Sequence, residues 1–262
     1  MASKFFELDR RMEALRAQFL QHEELMPEFM ERLDFSWIYH DNALEGVVLS
    51  YHELKAAIDK NIISDVTLIP AYLDIANHKA AIDFVRETAG RRRSSLGLEF
   101  LKKVYQILCT DESTPRNGKA KAQGQYRKDN PLHRLYFHEI APPEKISYRV
   151  RKLVEWVASE EARKMHPIKR AAKAHFRLIS IYPWPKHSGK VARLLMNTIL
   201  LREGYVPAII HAIERQRYYE VLRAPHSGLT SLIFESIQGT VEAAERFLEE
   251  VLESPGSVLA AS

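Results

Sequence analysis

The residues best suited to chemistry fall in one stretch, 181-IYPWPKHSGKVARLLMN-197. Prolines bracket a turn, and a single glycine opens an apolar-periodic helix that carries cations. Helix N-termini attract anions, because their first amides lack partners and the helix dipole is positive there. Ser188 is a suitable N-cap, Gly189 lets an anion approach the backbone, and Lys186, Lys190 and Arg193 supply charge. A phosphate nest and a plain capped helix both fit these residues. The turn also contains Tyr182 and His187, and no carboxylate. A phenol with an ordinary pKa of about 10 stays protonated at neutral pH, so Tyr182 reads as a packing residue rather than a base. His187 titrates near neutrality and is the residue of the turn suited to proton transfer; a solvent-facing or anion-contacting role is its other reading. Elsewhere His133 and His138 lie five apart, but no carboxylate or cysteine completes a metal site with them, and they read as surface residues of a hairpin.

Helices must position this turn. From 8 to 33, apolar residues recur at intervals of three and four, as in Leu8, Met12, Leu15 and Phe19, which predicts one amphipathic helix. A short helix is expected over 37–46, stopped by Gly46. Another is expected over 66–89, with Gly90 as its cap and the solvated patch Arg91-Arg92-Arg93 beyond it. A helix over 96–109 is followed by a long loop, 111–146, rich in glycine and proline breakers. That loop contains the two short strands the pattern allows, near 125–127 and 135–138. Helices resume over 147–159, 167–181, 188–203, 212–222 and 229–252. The predicted class is all-α with one small β-hairpin.

Composition sets the outer bounds. With 262 residues, the chain can form one large domain or two small ones. Its 46% hydrophobic and 27% charged residues suit a globular protein. A net charge of +4 is too small an excess to argue for nucleic acid. The lone cysteine, Cys109, excludes an internal disulfide, and its apolar flank suggests a buried structural thiol. No run approaches the roughly 18 apolar residues of a membrane span, and the N-terminus lacks a signal peptide's apolar block. The expectation is a cytoplasmic protein without membrane or nucleic-acid partners.

The segment 166-HPIKRAAKAHFRLISIYPWPKHSGKVARLLMNTILLREGYVPAII-210 resembles the core of the Fic (Fido) family, whose signature is H-P-F-x-(D/E)-G-N-G-R-x-x-R ahead of a long helix. Three further segments are similar in order: 41-DNALEG-46 to the inhibitory motif (S/T)-x-x-x-E-(G/N) of the N-terminally inhibited class, 124-GQYRKDN-130 to the start of the flap hairpin, and 217-RYYEVLRAPHSG-228 to the segment bordering the nucleotide base. The resemblance spans about residues 35–235. It implies a Fic-type helical bundle with a β-hairpin flap over about 122–140 and a motif loop over 182–193. The implied organisation is an N-terminal helical region over 1–94 that carries the inhibitory helix (about 37–46), a core over 95–252, and a tail over 253–262.

Family members usually transfer AMP from ATP to a protein hydroxyl. The motif histidine takes the hydroxyl proton, the acid holds Mg²⁺, and the turn and two arginines hold phosphates. Here the correspondence breaks at several positions. Tyr182 stands in the base position, Trp184 in the phenylalanine's and Lys186 in the metal acid's. His187 replaces glycine, Ser188 asparagine and Lys190 the first arginine, while Pro183, Gly189 and Arg193 are kept. Lys186 cannot ligate Mg²⁺, so no metal is expected. ATP or another nucleotide is the ligand class the resemblance implies, held by Lys186, Ser188, Gly189, Lys190 and Arg193 with Tyr218 and Tyr219 beside the base. Glu45 is the implied inhibitory residue, paired with Arg193, and Asp41 an N-cap in place of the usual Ser/Thr. Two functions stay open. One is a degenerate Fic protein that no longer performs AMP transfer and retains phosphate binding or a protein-binding role at the flap. The other is a divergent transferase with another phosphate-containing donor or with His187 as base.

Overall fold

The computed structural model describes residues 2–58, 72–91, 93–110, 125–130, 139–223 and 228–253. Its architecture centres on one helix that is buried along nearly its whole length, SGKVARLLMNTILLR, here α9 (Ser188–Arg202). Such a helix is stable only when enclosed by others. Each residue from Ser188 to Leu200 is buried. The enclosing helices are α8 (Pro167–Ile181), α4 (Tyr72–Gly90) and α5 (Leu98–Leu108), all packed directly on α9. Their apolar stripes explain the arrangement: Ile168, Ala171, Ala174 and Leu178 face inward from α8, and Ile75, Ile82 and Val85 from α4.

Outside this centre, α6 (Ile146–Ala158) and α11 (Gly228–Glu253) pack on α8, and α1 (Ala2–Gln21) packs on α11. Leu8, Met12, Leu15 and Phe19 are buried as their spacing predicts. The single helix expected over 8–33 is two, because α2 (Met26–Leu44) begins after a 3₁₀ turn at Glu23–Leu25. Pro27, at the start of α2, has no amide hydrogen and crowds the preceding turn, so α1 cannot run through it. The short helix expected over 37–46 is the C-terminal half of α2, and the chain leaves it at Gly46, whose φ is +87°. Two short helices had no sequence signal long enough to read: α3 (Tyr51–Ile58) and α7 (Glu160–Lys164), the latter capped by Ser159. The helix expected over 66–89 is α4, described from Tyr72 onward. That expected over 212–222 is a 3₁₀ turn at Ala212–Glu214 followed by α10 (Arg215–Val221).

No β-strand occurs among the described residues. Residues 122–124 and 131–138 of the expected flap, with His133 and His138, lie outside them, and Gln125–Asn130 runs without regular structure. This segment is nevertheless anchored. The Arg127 amide donates to the Pro183 carbonyl at 2.9 Å. Its guanidinium donates to the carbonyls of Tyr182 (2.7 Å), Ile181 (3.4 Å) and Ala141, and to Asn130 Oδ1 (2.7 Å). The last carbonyls of α8 lack helical partners and carry the dipole's negative end, so a cation there is doubly favoured. Trp184 is fully buried next to this anchor and stacks on Tyr105 at 4.6 Å. Trp184→Ala leaves a cavity under the loop, and urea unfolding is expected to show a loss of about 3–5 kcal/mol.

Candidate functional site

The loop from Tyr182 to His187 joins α8 to α9 in six residues, and both of its ends turn through left-handed backbone. Tyr182 has φ 48° and closes α8, its amide donating to the Leu178 carbonyl at 2.9 Å. His187, at φ 58°, is the N-cap residue of α9. Non-glycine residues in this region cost roughly 1–2 kcal/mol each, so the surrounding packing has to impose the conformation. Tyr182, Pro183 and Trp184 are buried and supply that packing, whereas Pro185 and Lys186 are exposed and His187 is half-buried.

Ser188 is not the cap its sequence position suggested. It is the first helical residue, and its hydroxyl, fully buried, accepts from the Trp184 amide and donates to the Trp184 carbonyl, both at 2.9 Å. The hydroxyl thus ties the turn closed. Gly189 does allow a close approach, and the group that approaches is Glu45. A Cβ at Gly189 would lie 2.2 Å from Glu45 Oε1 and 3.1 Å from Arg193 Nη1.

Burying α9 also buries its charges, and the sequence expectation that Glu45 meets Arg193 has a direct counterpart here: Arg193 Nη2 donates to Glu45 Oε1 at 2.8 Å. Asp41 has another position than expected. It sits in the last turn of α2, not at an N-terminus, and accepts from Arg193 Nε. Arg193 Nη1 reaches the Tyr218 hydroxyl at 3.4 Å. Burial alone would raise the Asp41 carboxyl, but Arg193 and His78 beside it hold it down to about 2. Burial opposes the charge on Arg193 as well, and Asp41, then Glu45, more than restore it, raising its pKa.

Sequence reasoning missed His78, which lies on the apolar stripe of α4 between Ile75 and Ile82. Its Nε2 is 3.1 Å from Asp41 Oδ2 and its Nδ1 is 3.4 Å from Asn42 Nδ2. Burial lowers its pKa, and the neutral ring with hydrogen on Nε2 turns a donor towards Asp41 and an acceptor towards Asn42. Asn42 Oδ1 in turn accepts from Lys190 Nζ at 2.8 Å. Lys190 is therefore turned away from the loop surface, towards α2. Burial lowers its pKa, against the pull of Asp41 and Glu45.

The segment carrying Tyr218 and Tyr219 closes the side opposite α4. Tyr218 is buried, its hydroxyl 3.0 Å from His175 Nε2, and burial raises its pKa. Tyr219 donates its hydroxyl hydrogen to the Leu44 carbonyl at 2.9 Å, and Arg215 Nε donates to the same carbonyl at 3.1 Å. Both contacts cap the C-terminus of α2 just before Glu45. A histidine pair extends the seam: the His40 and His211 rings stack at 4.2 Å, and His40 Nδ1 accepts from the Ala212 amide at 3.1 Å.

The Fic/DOC family model matches residues 95–200, from just before α5 to the buried end of α9. The chain contains a Fic/DOC family domain. Over 262 residues it is 24% identical to the protein adenylyltransferase fic-1 of Caenorhabditis briggsae, an alignment covering 96% of this chain and 50% of that protein. It is 27% identical over 191 residues to the protein adenylyltransferase Fic of Aedes aegypti, covering 73% of this chain and 37% of that one. The chain thus spans half or less of the length of these curated relatives. A Fic domain containing signaling protein from Bacteroides thetaiotaomicron superposes with a TM-score of 0.71 at 21% identity, covering 90% of this chain and 98% of that one. At that identity the likeness establishes the Fic fold and nothing further. Within that fold, α8, the loop and α9 form the helix–turn–helix in which the motif resemblance falls.

Gly189→Ala forces the Glu45 carboxylate off Arg193. Urea unfolding is expected to show a loss of about 1–3 kcal/mol in the native background and most of that cost removed in a Glu45→Ala background. Acid lability provides a second check. Burial, then the neighbouring His211, lowers the His40 pKa to about 4. A histidine kept neutral by the fold leaves stability full above the unfolded value of about 6.5 and erodes it as pH falls from there towards 4. Thermal melts should show that slope, and His40→Gln should flatten it between pH 6.5 and 4.

Proposed function

We propose that this Fic-fold protein is a degenerate member of the N-terminally inhibited class that does not perform metal-dependent AMP transfer to protein hydroxyls, and that its loop retains an anion site closed by Glu45. The observation that carries the reading is the buried Tyr182 at the end of α8, where the motif places its base. A buried phenol cannot accept a target hydroxyl's proton near neutral pH. Lys186 stands at the metal acid's position, and an ammonium is not a ligand for Mg²⁺. The carboxylate that meets Gly189 is Glu45, and it is already paired with Arg193. Among the described residues no group of three or more His, Cys, Asp or Glu side chains could hold a metal. The donor set therefore does not fit Mg²⁺.

The ligand class left to the site is a phosphate-bearing molecule such as a nucleotide. Lys186 presents an exposed charge at the loop, and the α9 N-terminus offers its first amides where the Glu45 carboxylate now lies. Tyr219 and Arg215 border the same edge. A protein target at the flap is the corresponding macromolecular partner, since hairpins of this kind hold peptides by main-chain pairing. Residues 1–94, 95–252 and 253–262 are the proposed divisions, with α4 of the first packed on α9 of the second.

The test is incubation of purified protein with radiolabelled ATP and a cell lysate, with and without Mg²⁺, for wild type, Glu45→Gly and His187→Ala. No labelled protein band is expected in any lane. Labelling that appears in Glu45→Gly and disappears with His187→Ala added would overturn the reading in favour of a divergent transferase that uses His187 as base.

A further inference from the structure

We infer that Asp41, held in place by His78, is the residue that keeps Arg193 engaged, and that Glu45 closes the loop without being needed to hold the arginine. This rests on the reading of 182–193 as an anion site closed by Glu45, and it separates two tasks that the sequence assigns to one glutamate.

The two carboxylates reach Arg193 from unlike positions. Asp41 lies within the last turn of α2, and its side chain is 6% exposed. Glu45 is the C-cap of the same helix, next to Gly46 at φ +87°, and its side chain is 15% exposed. Asp41 binds twice: its carboxylate accepts from Arg193 Nε, and its carbonyl lies 3.4 Å from Nη2. Glu45 Oε1 accepts from Nη2 at 2.8 Å.

Asp41 is also immobilised from behind. Its second oxygen meets His78 Nε2 from α4, His78 Nδ1 meets Asn42, and Asn42 Oδ1 accepts from Lys190. Arg193, Asp41, His78, Asn42 and Lys190 thus form a chain across three helices that starts and ends on α9. Withdrawing Asp41 removes the contact at Nε of a buried cation and the carboxylate that faces a buried imidazole at once. Withdrawing Glu45 does neither, because it sits at the rim. Asp41 and His78 are positioning residues, and their effect is to leave only the outer nitrogens of Arg193 to any ligand that displaces Glu45. A phosphate entering there meets an edge rather than the full guanidinium fork that makes bidentate arginine sites strong.

Hydrogen exchange at the Arg193 Nε–H measures this directly. In uniformly ¹⁵N-labelled full-length protein, the signal is assigned by its loss in Arg193→Lys and followed beside the α9 backbone amides, which report overall stability. In Glu45→Gly the exchange rate is expected to stay within about tenfold of wild type, equivalent to about 1.4 kcal/mol. In Asp41→Asn it should rise well beyond that with Glu45 still present, while the α9 amides stay protected. Titration of Glu45→Gly with inorganic pyrophosphate should show binding no more than about tenfold tighter than wild type. Fast Nε–H exchange in Glu45→Gly overturns the inference, and that variant decides the matter even if Asp41→Asn does not fold. AMP transfer by the wild type would instead overturn the reading of the site and leave these exchange rates unchanged.

Discussion

Enclosing α9 on every side imposes a condition that the rest of the molecule satisfies: each polar side chain on that helix has to find its partner inside the protein. Asn197 meets it by exchanging hydrogen bonds with Ala208, and Thr198 by bonding back to Leu194. Arg193 and Lys190 are more demanding, because an unpaired buried charge costs several kcal/mol. Their partners come from α2 and α4, which is why a helix far away in sequence is built into the centre of the site. The site is therefore a part of the core, and its charges are structural before they are functional.

That origin explains how the loop can hold its shape independently of the chemistry its side chains carry. The bend depends on Tyr182 and His187 in left-handed backbone, on the Ser188 hydroxyl tied to both backbone groups of Trp184, and on the Trp184 ring stacked on Tyr105. None of these contacts uses the chemistry of a base or a metal ligand. The backbone geometry of the turn and the chemistry of its side chains are separate properties, and a sequence can change the second while packing preserves the first.

Much of the scaffold was legible in the sequence, and the reason is periodicity. The stripes of α8 and α11 and the apolar periodicity of α9 specify where those helices lie. The division of 8–33 into two helices followed from a single proline, whose effect on continuity the hydrophobic spacing conceals. In the site, Glu45, Gly189 and Arg193 could be named because they fall at motif positions. Asp41 was misassigned, since an aspartate four residues before a glutamate looks the same at a cap as in the last turn of a helix. His78 and Asn42 gave almost no signal, because their partners are 36 to 148 residues away in some of these contacts. The available hint at His78 was an imidazole on an otherwise apolar stripe, which requires a buried polar neighbour.

Arg127 joins two regions that the sequence treats separately. By gripping the carbonyls at the end of α8 and the carbonyl of Ala141, it makes Gln125–Asn130 and the entrance of the loop one mechanical unit. A peptide pulling on the chain at Gln125–Asn130 would load the backbone of Ile181, Tyr182 and Pro183 through that guanidinium. Tension applied at that segment is thus delivered to the first turn of the loop without passing through Glu45 or α2.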